Sequence, residues 1–492
     1  MKIAVLVAPK RFWRWQRALV EHLQHLKHEV IVAPRGAARV PLAVQALLKL
    51  EHWIFKGPRV VVTEDAHAPT DVDAGAFDVV IDLSGAGEKI PGALTLLYDG
   101  QCAEEALWGR LLRQQSPLIS IARYNADGGI ETLAASYAAI EDKVVLSRGI
   151  RYASARAALL IERAIEIVQG QRRVAPLPEH AHAHAVYFSH AALVRFVWLR
   201  CAAAVASAFH KRGHWITVWR RGDDAFTPIS ADGRFLADPF VVAYRGADYL
   251  FAEDLIDGGP KGRIVAGRLP DVTQSVHLEP VLTEAHHLSF PFVFEHEGDM
   301  FMMPEGGTSG SLSVYRAAEF PTRWEKFRDV MEHTRAFDPA IVEHAGRFWL
   351  FCTIAPSVGS TWDEISIFHG LSPFGPWTPH ALNPVKSDVR GARMAGRFHR
   401  VNGRLLRPAQ DCEQGYGAKL AWYEVMELTP ETFIERRIGA WDPALFGDFN
   451  GLHTYDGLND IQVIDLKLNR PRRGAVRPRI VGGRDLKVPD AH

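Results

Sequence analysis

Four carboxylates recur at matched places in the second half of the chain. Asp238 and Asp338 each precede a proline that opens an apolar run, Leu236-Ala-Asp-Pro-Phe-Val-Val-Ala243 and Ala336-Phe-Asp-Pro-Ala-Ile-Val-Glu343. Glu253 and Glu305 each close the apolar run that follows, 14 positions after the anchoring proline. Carboxylates whose surroundings push their proton affinities apart can divide the work of acid and base, which is the chemistry of glycosidic bonds. Asp238 is the candidate general base or nucleophile and Glu305 the candidate acid, with Asp338 and Glu253 tuning proton affinity and orienting a sugar. Candidate substrate contacts are His287 and Ser289 before Pro291, then Arg393, Arg407, Gln410, Asp411 and Tyr416. Tyr416, Trp324 and Trp349 offer stacking faces. Each residue also has a plain structural reading: an Asp-Pro pair is a common turn device, strand-end glutamates are often solvated, and large aromatics pack between sheets.

An internal repeat must position these groups. The anchors Pro239, Pro291, Pro339 and Gly396 recur at intervals of 52, 48 and 57, each followed by a turn (Arg245-Gly246, Glu297-Gly298, Ala345-Gly346, Asn402-Gly403) and a second apolar run. In all four units that run ends 14 positions after the anchor, at Glu253, Glu305, Thr353 and Gln410. Two strands and a tight turn make a hairpin, and a period of roughly 50 residues leaves room for two more strands, the signature of a propeller blade. The span from 213 to about 470 has room for five blades. The fifth is expected from His214-Trp-Ile-Thr-Val-Trp219 closing against Asp460-Ile-Gln-Val-Ile-Asp465. First strands of blades line a central channel, so acids far apart in sequence converge on its mouth.

This arrangement is similar to the five-bladed propeller of glycoside hydrolase family 43, which implies two aspartates and one glutamate on the channel. It resembles more closely the N-terminal domain of glucosamine inositolphosphorylceramide transferase. The strings that carry the likeness are Ala237-Asp-Pro-Phe-Val-Val242, Tyr249-Leu-Phe-Ala-Glu-Asp254, Lys261-Gly-Arg-Ile264, His287-Leu-Ser-Phe-Pro-Phe-Val-Phe294, Met303-Pro-Glu305, Tyr315-Arg-Ala-Ala-Glu-Phe-Pro-Thr-Arg-Trp324 and Arg407-Pro-Ala-Gln-Asp-Cys412. One departure stands out. Phe290 occupies the position of Asp238 and Asp338 in the second unit, so either a glutamate of the neighbouring strand substitutes or the hydrolytic trio is incomplete.

Up to about residue 170, short apolar runs alternate with helical patterns: Lys2–Ala8, a helix from Trp13 to Leu26, His28–Pro34, Arg59–Thr63, Phe77–Ser84 and Pro117–Ala122. Continuous β-branched runs between helices predict a mostly parallel, Rossmann-like sheet covered on both faces. The dinucleotide fingerprint is missing, since Val7-Ala-Pro-Lys10 stands where a glycine-rich loop would follow the first strand. The order of elements resembles the N-terminal domain of folate-dependent formyltransferases. Leu97-Tyr98-Asp99 stands in place of that family's Asn-x-His pair, and Asp127 lies near its aspartate position.

Composition bounds the rest. The 492 residues carry 57 basic and 57 acidic side chains, a balance that argues against bulk capture of nucleic acid. The four cysteines lie far apart and form no CxxC pair, which argues against a disulfide framework and a cysteine zinc site and suits a reducing compartment. His180, His182 and His184 could form a metal comb in an extended chain, but the prolines beside them favour a solvated linker. Arg195 and Arg200 in the apolar stretch Ala191–Phe209 favour an amphipathic helix over a membrane span. From Lys467 onward a basic, proline-broken tail is expected, with contact to anionic lipid headgroups or a polyanion as its functional reading. The expected organisation is α/β plus all-β: a Rossmann-like, formyltransferase-like domain (1–171), a linker and connecting helix (172–212), a five-bladed β-propeller (213–466) and a flexible basic tail (467–492). The expected protein is cytoplasmic, needs no metal or cofactor, and acts on a glycan or glycoconjugate in surface polysaccharide or glycolipid synthesis. A non-catalytic glycan-binding propeller and a formyl or acyl transferase are the alternatives.

Overall fold

A computed structural model of the chain describes residues 1–9, 12–36, 40–56, 61–62, 74–179, 184–230, 234–255, 259, 261–471, 480, 482–483 and 488–489. The chain divides into two compact units. One comprises Met1–Ala204 with the short segments Ser357–Ser360 and Lys386–Val389, and the other the remainder from Val205 onward.

The first unit is organised by apolar runs too continuous to face water on either side. Strands β1 (Lys2–Val7), β2 (Glu29–Pro34), β3 (Val79–Asp82), β4 (Leu94–Tyr98), β5 (Leu118–Tyr124) and β6 (Ile130–Tyr137) form one sheet in the order β2-β1-β3-β4-β5-β6. The pairs among β2, β1, β3 and β4 are parallel, whereas β4–β5 and β5–β6 are antiparallel. The sheet is therefore mixed: three of its five pairs are parallel, as expected, and the two pairs made by β5 are not. For β5 and β6 the physical reason is the turn Asn125-Ala-Asp-Gly-Gly129, where Asp127 accepts from the Gly129 amide at 2.8 Å and Gly128 takes φ +85°. A turn of this kind joins antiparallel neighbours and gives no room for a crossover helix.

The same part of the chain has helices α1 (Arg14–His25), α2 (Leu42–Phe55), α3 (Glu104–Leu112), α4 (Leu146–Val168) and α5 (His190–Phe209), with a short strand pair, Phe12–Trp13 and Val61–Val62, apart from the main sheet. Ala192 and Phe196 of α5 are buried in the core of the first unit with Trp108, Leu111 and Leu160. The helix, read from sequence as a lead into the second domain, runs directly into the strand His210–Arg221 and packs its first turns on the first unit. The chain before it is largely exposed at Arg173, Val174, Pro176, Leu177 and Glu179, and touches the first unit where Arg110 donates to the His184 carbonyl and Arg113 to that of Tyr187, both at 3.1 Å. His180 and His182 lie outside the described residues.

In the second unit the predicted repeat appears as five blades, four of them four-stranded and the third carrying a short fifth strand, Lys386–Ser387. The hairpin turns Arg245-Gly246, Glu297-Gly298, Ala345-Gly346 and Asn402-Gly403 all hold positive φ at both residues, the geometry that matches the twist of paired strands. The first three blades begin with Ala237–Tyr244, Ser289–His296 and Ala336–His344, and the fourth has His399–Val401 as its inner strand. The fifth joins both ends of the repeat region: Tyr455–Leu458 pairs with Ile461–Pro471, which pairs with His210–Arg221, placing Val463 opposite Trp219 as the sequence suggested. That closing strand runs to Pro471, so Lys467 and Arg470, read as the start of a tail, belong to the sheet; most later basic residues lie outside the described ones. Trp324 and Trp349 are buried inside blades, donating to the Pro321 and His344 carbonyls, and serve the core rather than a stacking platform.

Candidate active site

The acids reach the axis through a repeated backbone defect. In each of the first three blades the inner strand slips register after its first residues, between Ala237 and Phe240, Ser289 and Phe292, and Phe337 and Ala340. The residue before the proline in each slip takes left-handed φ: +49° at Asp238, +45° at Phe290 and +46° at Asp338. Such a bulge re-aims a side chain at a cost in strain that only over-determined sites sustain. Each freed amide finds a carboxylate. Asp238 N donates to Asp465 Oδ2 at 3.0 Å, Phe290 N to Asp238 Oδ2 at 3.3 Å, and Asp338 N to Glu305 Oε2 at 3.0 Å.

Two groupings result. In one, Asp238 Oδ1 accepts from Thr454 Oγ1 at 2.7 Å and lies 3.4 Å from His453 Nε2. His453 Nδ1 approaches Asp465 Oδ2 to 2.5 Å, and its ring stacks on Trp215 at 3.9 Å between centroids. In the other, Arg393 Nε bonds Asp338 Oδ2, its Nη2 lies 3.2 Å from Asp338 Oδ1 and 3.5 Å from Glu305 Oε2, and Gln410 Nε2 donates to Asp338 Oδ2 at 2.8 Å. Tyr416 stands by both, with the Arg393 guanidinium 5.1 Å from its ring centroid and the His453 ring 5.2 Å away. Glu253 faces His287 Nε2 at 3.3 Å, while His287 Nδ1 accepts from the Gly262 amide.

Burial of so many acids sets their proton affinities apart. Asp238 is pushed up to about 6, mainly by loss of solvent, with His453 opposing and Asp338 and Asp465 adding repulsion. Glu253 and Glu305 are held well above the usual carboxylate range, again by burial first, then by neighbouring acids. Burial pushes the His453 imidazole down, but the Asp465 and Asp238 carboxylates outweigh it and hold the ring above its ordinary value. Two kinds of carboxyl thus coexist on one axis: one that ionises below neutrality and two that keep their protons more firmly.

Against the residues read from sequence, Asp238, Glu253, Glu305, Asp338, His287, Arg393, Gln410 and Tyr416 come together here. Ser289 is buried on the inner strand of the second blade, opposite Glu305. Arg407 stands apart. It is fully buried in its blade, with Glu435 taking both Nε and Nη2 at 2.7 Å and the Gly391 and Ala392 carbonyls the rest. Asp411 holds Arg437 at 3.2 Å and the Glu413 amide.

With that geometry in place, the chain can be set beside known proteins. Residues 224–444 match the family described as glucosamine inositolphosphorylceramide transferase 1, N-terminal. The stretch includes all four acids read from the sequence. Over 205 residues the chain is 38% identical to glucosamine inositolphosphorylceramide transferase 1 of Oryza sativa subsp. japonica, covering 41% of this chain and 27% of that protein. Over 217 residues it is 36% identical to the protein of the same name in Arabidopsis thaliana, covering 43% and 28%. The chain therefore spans about a quarter of the length of these curated relatives. Among solved structures, a family 117 glycoside hydrolase of Zobellia galactanivorans aligns with a TM-score of 0.36 at 14% identity, covering 55% of this chain and 96% of that one. A family 43 β-xylosidase/α-arabinofuranosidase from a compost metagenome aligns with 0.38 at 13%, covering 54% and 99%.

Sequence reasoning missed His453, Thr454, Asp465 and Trp215. All four sit in the fifth blade, which is assembled from both ends of the repeat region, so no repeat position pointed to them; the one available signal was Asp465 closing the strand expected to seal the ring. Asp238, His453 and Asp465 bring three donor atoms within 4.8 Å of one another and could hold a cation. The fit is poor, because Asp465 already receives the amides of His453, Thr454 and Asp238 while His453 pairs with both aspartates.

In the first unit the formyltransferase-like positions do not assemble a polar trio. Asp99 is buried in a turn, bonded to Arg110 at 2.6 Å and the Leu118 amide, and Asp127 lies in the exposed turn described above.

Proposed function

We propose that the propeller acts on the sugar of a glycolipid or related glycoconjugate during glycolipid or surface polysaccharide synthesis, with the axial acids as its working groups. The observation that carries this reading is the convergence of Asp238, Glu253, Glu305 and Asp338 with Arg393 and His453 on one axis, within the stretch that matches the glycolipid transferase family. In this reading Glu305, whose proton is held more firmly than a carboxyl's ordinarily is because the side chain is buried beside Asp338, donates it to the leaving oxygen of a glycosidic bond. Asp238, ionised at neutral pH, takes a proton from the attacking hydroxyl or attacks the anomeric carbon itself. Arg393 and Tyr416 hold the ring, and Glu253 stands against His287 beside them. Transfer to another sugar suits a biosynthetic role better than hydrolysis, which would compete with it.

A second reading, a non-catalytic glycan-binding propeller, draws on Phe290. It fills the bulge where a third aspartate would complete a hydrolytic trio, and it is fully buried against Phe240. One experiment separates the two. The parent, Asp238→Asn and Glu305→Gln are screened on a glycan and glycolipid array, and turnover of each bound compound is followed by mass spectrometry. Retained binding with turnover reduced about a hundredfold or more supports catalysis. Lost binding without any turnover in the parent supports the scaffold. Variants indistinguishable from the parent on every compound overturn both.

A further inference from the structure

Helices α2 and α5 each present two apolar stripes, and only one of each is used by the fold. On α2, Val44 and Leu47 are buried together with Glu51, while Leu42, Leu50, Trp53 and Ile54 are 82%, 51%, 77% and 47% exposed. At 100° per residue these four fall on one outer flank. On α5, Ala192 and Phe196 are buried, while Val194, Val197 and Trp198 are 69%, 41% and 65% exposed, and Cys201 shares that side. The helices are tied side by side: Arg200 pairs with Glu51 at 3.0 Å and lies 4.8 Å from the Phe55 ring centroid, and Glu51 also accepts the Leu146 and Ser147 amides that open α4. Each exposed tryptophan stands two residues along its helix from that contact.

Charge says what covers the patch. The two helices contain a single acid, Glu51, and it is buried and paired. Around the apolar residues stand Lys49 and His52 on one helix, Lys56 just past its end and Arg195 on the other helix, all exposed. A second copy docking through the same face would set these cations against each other. An anionic lipid surface complements them, and tryptophan with one polar atom on an apolar body suits the headgroup boundary. The window His190–Ser207 is long and apolar enough to cross a bilayer. However, the pairing of Arg200 with the buried Glu51 carboxylate and the anchoring of Ala192 and Phe196 in the core fix the helix along the surface of the first unit.

We infer that α2 and α5 form a membrane-docking face, inserting Trp53 and Trp198 at the interface of an anionic bilayer. The proposal is independent of the sugar chemistry. The full chain is floated with phosphatidylcholine vesicles with and without phosphatidylglycerol, alongside Trp53→Ser/Trp198→Ser and Lys49→Glu/Arg195→Glu, all positions being exposed and each variant checked for an unchanged circular dichroism spectrum. The parent should bind, more strongly to the phosphatidylglycerol vesicles. The tryptophan pair should lose about tenfold or more on both vesicle types, and the charge pair only the phosphatidylglycerol increment. A parent that stays with the soluble fraction, or a tryptophan variant that floats like the parent, overturns the proposal. So does a parent that sediments as a dimer in lipid-free buffer and becomes a monomer on the tryptophan change, since that result assigns the face to a second copy.

Discussion

Asp238 is where proton affinity and stability meet. Its folded value of about 6 lies above the ordinary 3.8, so the folded protein holds this proton more tightly than the unfolded chain. Stability contributed by the proton is therefore present at low pH and is lost as pH rises from about 3.8 to beyond about 6. His453 acts in the same direction, because a ring held above its ordinary value stabilises the fold while charged and stops doing so as pH rises through the folded value. The expected outcome is that the fall in unfolding free energy between pH 4 and pH 7.5 is smaller in Asp238→Asn than in the parent, by about 1–3 kcal/mol. Urea melts across that range check it. Parallel pH profiles would show that no proton is trapped at this carboxyl.

Among the elements, the inner strands carry the geometry. Three bulges of the same form aim Asp238, Phe290 and Asp338, and the fourth blade reaches the axis differently. Gly396, at the corresponding anchor, takes φ +127° and bridges in parallel to Tyr455 of the fifth blade. A Cβ there would stand 1.9 Å from the Tyr455 carbonyl oxygen, a backbone atom that cannot step aside. Gly396→Ala combines that overlap with a φ that side-chain-bearing residues rarely adopt, so it should destabilise the propeller by about 2–4 kcal/mol. Chemical denaturation followed by tryptophan fluorescence measures this. A change within about 0.5 kcal/mol would mean the two inner strands part easily, contrary to the packing described.

For the whole molecule, the decisive feature of the propeller is closure. Ile461–Pro471 is the strand through which both ends of the repeat region meet, and it also brings in Asp465, whose carboxylate holds the Asp238 amide. A chain ending at residue 460 loses the centre of the fifth blade and leaves the long strand His210–Arg221 and the short Tyr455–Leu458 without the partner they share. Its propeller should no longer unfold cooperatively, and limited proteolysis should cut within residues 210–221. Retention of the parent's urea midpoint and protease resistance would show that the ring is held by contacts between blades without its clasp.

How much of this was legible in the chain itself follows the range of the interactions. The four hairpin turns, the repeat spacing and the alternation of apolar runs are decided within a few residues by φ preferences and side-chain sidedness, so the blades could be read directly. The four acids were found because they sit at repeat positions. Their partners were not: the Asp238 amide bonds a carboxylate 227 residues away, and Thr454 bonds the Asp238 side chain across 216. The antiparallel pairs that β5 makes in the first unit were likewise not legible, since an apolar run looks alike in a parallel or an antiparallel pair and only the path of the chain between strands decides. Sequence by itself determined a ring of hairpins bearing acids. The tertiary structure alone decided which of those acids share protons, which are held by Arg393 and His453, and that Arg407 belongs to the core, because burial and charge pairing arise only once distant segments exclude water together.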